Sequence, residues 1–392
     1  MKLTALASHG PIPEAVRAAL MARGWDAQRS RFAAAGLQPV VVLIEDIGEP
    51  EREALVHWAA RAGADVLTGD AWALVVAAAS RLAPLARPDR VPSDLVFLTQ
   101  DLGSLLTGFA DPARTWTIRD QTLPLEAPVL IGILNVTPDS FSDGGRFTGL
   151  EAAVAQGERL KTDGAVVIDI GGESTRPGAA PVSVADETAR VVPVTAELVR
   201  RGLGPVSVDT RKAAVARAAL DAGAAIVNDV SGLSFDPDLG SVVRDAGAGM
   251  IVMHMRGTPD TMDALATYAH PAVEIAAELR TVADRATAAG ITPDRLALDP
   301  GFGFAKNPEQ NFRVLDELAT IVGLGYPVVV GPSRKRFLCA ATGRPVEDRD
   351  RATAVACALA WERGARLFRV HDVALAREAL TLARAVAPGR DA

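Results

Sequence analysis

The chain has 392 residues, 41 Lys plus Arg against 48 Asp plus Glu, and 49% hydrophobic residues. That length predicts one large α/β barrel with an appendage or two domains. A charged fraction of 23% beside so much apolar content excludes a largely disordered chain, and a net charge of −7 argues against a general binder of nucleic acid or anionic membranes. Cys339 and Cys357 have no CxxC spacing, apolar runs fall short of the roughly 18 residues that span a bilayer, and His9-Gly10-Pro11 breaks any signal-peptide core. A cytoplasmic chain with no membrane partner is expected.

Residues 1–110 read as a small α/β domain. Pro39–Glu45, Ala64–Thr68 and Leu95–Leu98 are expected strands, and Ile12–Gly24, Glu49–Ala62 and Asp70–Ala83 expected helices. No catalytic constellation falls there, and His9, His57 and Trp58 are assigned surface or packing roles. The polar stretch 111–127 reads as a linker.

From 128 to 392 short aliphatic runs alternate with helical segments. The runs are Val129–Leu134, Ala165–Ile170, Pro205–Val208, Ala225–Val227, Met250–Met253, Arg295–Leu298, Pro327–Val330 and Arg366–Val370. Continuous rather than alternating, they suit strands buried on both faces of a parallel sheet. Leu150–Thr162, Ala185–Arg201, Arg211–Ala222 and Arg351–Arg363 are helix candidates between them. Eight such units fit a (β/α)8 TIM barrel of about 250 residues. An open doubly wound sheet is the alternative, but no GxGxxG fingerprint follows the first strand.

A barrel builds its site at the C-terminal ends of its strands. The first run opens into Asn135-Val136-Thr137-Pro138-Asp139-Ser140-Phe141-Ser142-Asp143-Gly144-Gly145, a loop suited to fold over a polar ligand, in which Asn135 offers a hard oxygen for Mg2+. Later runs end in Asp169, Asp209, Asn228 and Asp299, and the loop after the second carries Arg176 as an anion contact. The two carboxylates Asp209 and Asp299 and the amide of Asn228, without a cysteine or histidine cluster, suit a planar, donor-rich heterocycle better than zinc; Asp209 or Asp299 taken singly also reads as a helix cap or an arginine partner. His254 reads equally as a hydrogen-bonded strand-end histidine. The seventh run leads into Ser333-Arg334-Lys335, and the eighth carries Arg369 and His371, which share one side of their strand and, facing the mouth, would form a cationic pair for phosphate.

These segments resemble the dihydropteroate synthase family. The motifs are GILNVTPDSFSDGG at Gly132–Gly145, DIGGESTRPGA at Asp169–Ala179, SVDT at Ser207–Thr210, NDVSG at Asn228–Gly232, MHMRGTP at Met253–Pro259, DPGFGFAK at Asp299–Lys306, GPSRKRF at Gly331–Phe337 and RVHDV at Arg369–Val373. Pro332, where the family often has Thr or Val, departs mildly from the pattern. The resemblance implies condensation of (7,8-dihydropterin-6-yl)methyl diphosphate with 4-aminobenzoate by a dissociative, SN1-like course, competition by sulfonamides, Mg2+ as cofactor and a homodimer. By the family pattern, Asp209, Asn228, Met253, Asp299, Lys335 and Arg369 would hold the pterin. Asn135, with Mg2+, Arg369 and His371 would hold the diphosphate. Phe141, Thr175, Arg176, Pro177, Phe304 and Ser333 would line the aminobenzoate site. Asp139 would stabilise the cation, joining Lys335, Arg369 and His371 as catalytic residues. The rival readings are a pterin-binding methyltransferase, which needs no diphosphate apparatus, and a non-catalytic pterin sensor.

Overall fold

The computed structural model describes residues 2–7, 39–87, 91, 93–98, 102–103, 106, 113–136, 146–174 and 180–386. The expected helix Ile12–Gly24 and His9 lie outside them.

The N-terminal part holds an antiparallel sheet of β1 (Lys2–Ala7), β2 (Pro39–Glu45), β3 (Asp65–Thr68) and β4 (Trp72–Ala78), in the order β1-β2-β4-β3. Helix α1 (Glu49–Ala62) starts with Pro50 and two glutamates in its first turn and stops at Gly63, whose φ of 66° is open to glycine. It buries Leu55, Trp58 and Ala59, so Trp58 packs in the core while His57 is exposed.

Two expectations fail here. Residues 70–83, read as a helix, contain β4 and then only a short helix at Ala79–Leu82. In β4, Ala73, Val75 and Ala77 are buried with period two, and pairing with β2 on one side and β3 on the other overrides the helical preference of its alanines. Leu95–Leu98, read as a strand, lies in the 3-10 helix Ser93–Leu98, whose three-residue turn buries both Leu95 and Leu98.

Within 111–127 the chain forms a hairpin, β5 (Thr115–Ile118) and β6 (Gln121–Pro124). Trp116 and Ile118 are wholly buried among Ile131, Val167, Ile226, Ile251, Ala297 and Leu367, the lower interior layer of a barrel. The Trp116 indole N–H donates to the Arg295 carbonyl at 2.9 Å, so the hairpin stops the barrel at its N-terminal end without stranding a donor. Gly249 makes room for it: a Cβ there would stand 2.4 Å from Ile118 Cγ2.

The barrel strands are β7 (Val129–Asn135), β8 (Val167–Gly171), β9 (Val206–Asp209), β10 (Ile226–Asp229), β11 (Gly249–Met253), β12 (Leu296–Asp299), β13 (Val329–Val330) and β14 (Leu367–Val370). All neighbours are parallel, in the order β12-β11-β10-β9-β8-β7-β14-β13, and a bridge from Leu298 to Val328 joins the two ends. The expected (β/α)8 barrel is therefore present, each strand within two residues of its expected bounds.

Outside it run α2 (Arg146–Asp163), α3 (Val184–Arg200), α4 (Ala213–Asp221), α5 (Leu239–Asp245), α6 (Pro271–Ala288), α7 (Pro308–Asp316), α8 (Arg336–Thr342), α9 (Asp350–Glu362) and α10 (Val373–Val386). Local sequence starts several of them. The Ser183 hydroxyl accepts from Asp186 N ahead of α3, and Asn307 and Gln310 form a reciprocal capping box ahead of α7. Among the described residues no helix is long and apolar enough to cross a membrane.

Replacing the stopper, Trp116→Ala, should destabilise the chain by about 3–5 kcal/mol, read from the urea midpoint, since it empties a large buried volume and leaves the Arg295 carbonyl without its donor. A loss below about 1 kcal/mol would show that the hairpin is not part of the barrel's core.

Candidate active site

Period-two alternation builds the site. The apolar layer facing the barrel axis comprises Val167, Ile226, Ile251, Ala297, Val329 and Leu367. Two residues further along the same strands stand Asp169, Asn228, Met253, Asp299, Gly331 and Arg369, and the next step on β7 and after β14 brings Asn135 and His371. The interior thus changes from hydrocarbon to charge over one layer.

Arg369 occupies the centre. Its Nε donates to Asp169 Oδ2 and its terminal nitrogen to Asp209 Oδ2, both at 2.6 Å, and Asn228 Nδ2 donates to the same Asp169 oxygen at 3.2 Å. Burial works against the Arg369 cation, but Asp169 and Asp209 more than offset it and raise its pKa. Burial pushes the Asp209 carboxyl up to about 7, with Arg369 holding it back. Asp169 is fully buried, and its Oδ1 has no hydrogen-bond partner among the described residues. The guanidinium expected to reach phosphate is therefore gripped from the protein side by two carboxylates.

Asp299 and Lys335 face Arg369 across Gly331. A Cβ at Gly331 would stand 3.8 Å from Asp299 Oδ2, 3.9 Å from Arg369 Cβ and 4.0 Å from Lys335 Nζ, so the missing side chain keeps that space open. Asp299 Oδ1 accepts from Gly301 N at 2.7 Å; burial raises its pKa, opposed mainly by Lys335. Burial also lowers Lys335, to about 8, with Asp299 resisting. The Lys335 ammonium donates to the Phe302 carbonyl and lies 4.5 Å from the centre of the Phe304 ring, placing that ring beside the Asp299–Lys335 pair. Met253 is paired with Asp299 in the strand register and buried beneath Gly301.

A third group joins the last two strands. The Ser333 hydroxyl lies 2.8 Å from His371 Nδ1 and accepts from His371 N at 3.1 Å. A residue expected to bind aminobenzoate thus orients one expected to bind diphosphate. The turn carrying Ser333 is pinned from outside: Arg334, at φ 57°, forks onto Asp350 at 2.8 and 2.7 Å, and its N–H donates to the Thr353 hydroxyl. Pro332 accepts from Lys335 N at 3.2 Å, so it fits this turn. Across the mouth, a Cβ at Gly171 would lie 3.4 Å from Asn135 Oδ1 and 3.9 Å from Asp209 Oδ2, which puts Asn135 near the Asp209 carboxylate.

Asp139, Phe141, Thr175, Arg176 and Pro177 lie outside the described residues. Sequence reasoning left Asp169 without a role; its signal was alternation, since it follows interior Val167 by two residues. A second omission is the cluster of Glu173, Glu187 and Lys212. The Lys212 ammonium reaches Glu187 Oε2 at 2.5 Å, Glu173 Oε2 at 3.1 Å and the Val182 carbonyl at 2.7 Å, while Glu173 Oε1 accepts from Val182 N at 3.0 Å. Residues from both sides of the loop after β8 are held on one ammonium.

The model of the pterin binding enzyme family matches residues 131–371. A dihydropteroate synthase of Mycobacterium leprae is 45% identical over 266 residues, 65% of this chain and 92% of that protein, and one of Synechocystis is 43% identical over 245 residues, 62% and 85%. Among solved structures, a Xanthomonas albilineans dihydropteroate synthase with 4-aminobenzoic acid superposes with a TM-score of 0.66 at 44% identity, covering 70% of this chain and 99% of that one. The same enzyme in complex with 7,8-dihydropteroate gives 0.64 at 42%, with the same coverage. From motif, barrel and mouth alike, the chain belongs to the pterin-binding enzyme family, among its dihydropteroate synthases.

Proposed function

We propose that the barrel mouth joins (7,8-dihydropterin-6-yl)methyl diphosphate to 4-aminobenzoate, releasing diphosphate and 7,8-dihydropteroate. The observation that carries this reading is the interior layer in which Arg369, Asp169, Asp209, Asn228, Asp299 and Lys335 converge above an apolar floor. A pterin edge is rich in N–H donors, and carboxylates and amides in a dry site accept them well. Asp299 and Asn228 take the 2-amino and N3 edge, Asp209 the N8 side and Lys335 the O4 and N5 side, over Met253. Arg369, already held flat by two carboxylates, offers its face to the ring. Ser333 orients His371 toward the diphosphate and, with Phe304 and the stem of Lys335, lines the aminobenzoate site, which Phe141, Thr175, Arg176 and Pro177 complete.

Bond breaking leads. The dihydropterin is electron-rich, so departure of diphosphate leaves a delocalised cation, and the neutral aromatic amine attacks without a strong general base. Asp139 stabilises that cation, and Arg369 and His371 meet the charge on the leaving group. Asn135 is exposed at the mouth with its amide oxygen near the Asp209 carboxylate, so it would hold Mg2+ together with substrate phosphate, and the ion would offset charge on the departing diphosphate. The same reading makes the protein a cytoplasmic enzyme of small molecules, which its net charge of −7 supports over binding to nucleic acid or anionic membranes.

Exposed Val355 and Leu359 on α9 and Leu382 on α10 support a homodimer through the late helices, checked by sedimentation of the intact chain and of Leu382→Glu, which should run as a monomer.

Diphosphate release on mixing the two substrates with Mg2+ tests the activity. Asp299→Ala and Lys335→Ala should each lower kcat/KM by more than about a thousandfold with an unchanged circular dichroism spectrum, and near-normal rates would overturn the site assignment. With its pKa near 8, Lys335 loses its proton as pH rises through that value, so kcat/KM should fall along an alkaline limb centred there. Lys335→Arg, which stays charged, should remove the limb whatever its effect on the plateau; an unmoved limb would assign the ionisation elsewhere.

A further inference from the structure

The loop after β12 delivers Asp299 at its start, presents the Phe302 carbonyl to Lys335 and carries Phe304. Its backbone is left-handed at Gly301, Gly303 and Ala305, with φ of 68°, 76° and 46°, so its polar groups point away from any regular ladder and each needs a partner of its own. Gly303 N donates to Asn311 Oδ1 at 2.7 Å, and the Ala305 carbonyl accepts from the Tyr268 hydroxyl at 3.0 Å. The carbonyls of Gly301 and Phe304 both accept from Lys306 Nζ, at 3.1 and 2.9 Å.

Lys306 is buried, and its third neighbour is His254 Nδ1 at 3.0 Å. An ammonium has only donors, so with Lys306 protonated Nδ1 is the acceptor and the imidazole proton sits on Nε2, which lies 2.9 Å from Glu278 Oε2 and donates to it. His254 is neutral: burial and the nearby Lys306 pull its pKa down to about 4. Burial likewise lowers Lys306, to about 7, with Asp299 opposing. A lysine kept in such a place, with two carbonyls of one loop and a histidine turned to receive it, is better matched to holding that loop than to filling space.

We propose that Lys306, received by His254 Nδ1 with Glu278 holding the far side of the ring, is a positioning residue for the pterin subsite, fixing the loop that delivers Asp299 and braces Lys335. The proposal rests on the function given above. Its test varies both substrates in steady state on the full chain. Lys306→Met and His254→Leu should raise KM for the pterin diphosphate about tenfold and KM for aminobenzoate by a clearly smaller factor, since Phe304 rides on the same loop. His254→Asn, whose amide oxygen replaces Nδ1 as acceptor, should recover most of that loss. If Lys306→Met does not fold, the two His254 variants decide, because both lose Glu278 and differ in the acceptor offered to Lys306. Equal effects of Leu and Asn, parallel rises in both KM values or no change would overturn the proposal while the active parent chain upheld the function. A parent chain that neither binds pterin diphosphate nor releases diphosphate would overturn both.

Discussion

A guanidinium pinned between two carboxylates inside a barrel is the constraint around which the mouth is arranged. Withdrawing Arg369, Asp169 and Asp209 from water is costly, and a buried ion pair returns that cost only when geometry and further hydrogen bonds are good. Here the contacts are short, and Asn228 supplies one more donor. An apolar trio of similar volume would serve the fold as well, so the arrangement is explained by the proposed function, in which a flat cation that cannot swing away meets charge as it appears above it. Asp299 and Lys335 repeat the logic, each shifted against its charged form by burial and steadied by the other.

The backbone makes this possible by omission. Gly171 and Gly331 border the converging polar groups, and a Cβ at either would come into van der Waals contact with them and occupy the space between. Ser333 and His371 show the same economy, one hydroxyl both accepting from the histidine backbone and orienting its ring. Below, Trp116 packs against the apolar layer and closes the barrel floor beneath the charged one. Low effective dielectric then strengthens every contact made above it.

Much of this was legible in the chain itself. Continuous aliphatic runs announced the barrel strands because both faces of such strands are buried. The N-terminal β4 was not legible, since an alanine-rich stretch tells nothing about its two neighbours in a sheet until they are in place. Leu95–Leu98 failed for the same reason: four apolar residues suit several backbones. At the mouth, residue types at strand ends located Asp209, Asn228, Asp299 and Arg369, whereas Asp169 was passed over because which acid meets which base depends on strand stagger. The pinning of Ser333 to His371 joins residues 38 apart in sequence and has no local signature.

The hairpin beneath the barrel changes where the chain can be divided. A cleavage near Leu125, sensible if 111–127 were a tether, would carry Trp116 and Ile118 away with the N-terminal half and open a greasy hole in the floor of the other. The working seam between the two halves lies upstream of Arg114, and these few residues belong by packing to the catalytic half that follows them.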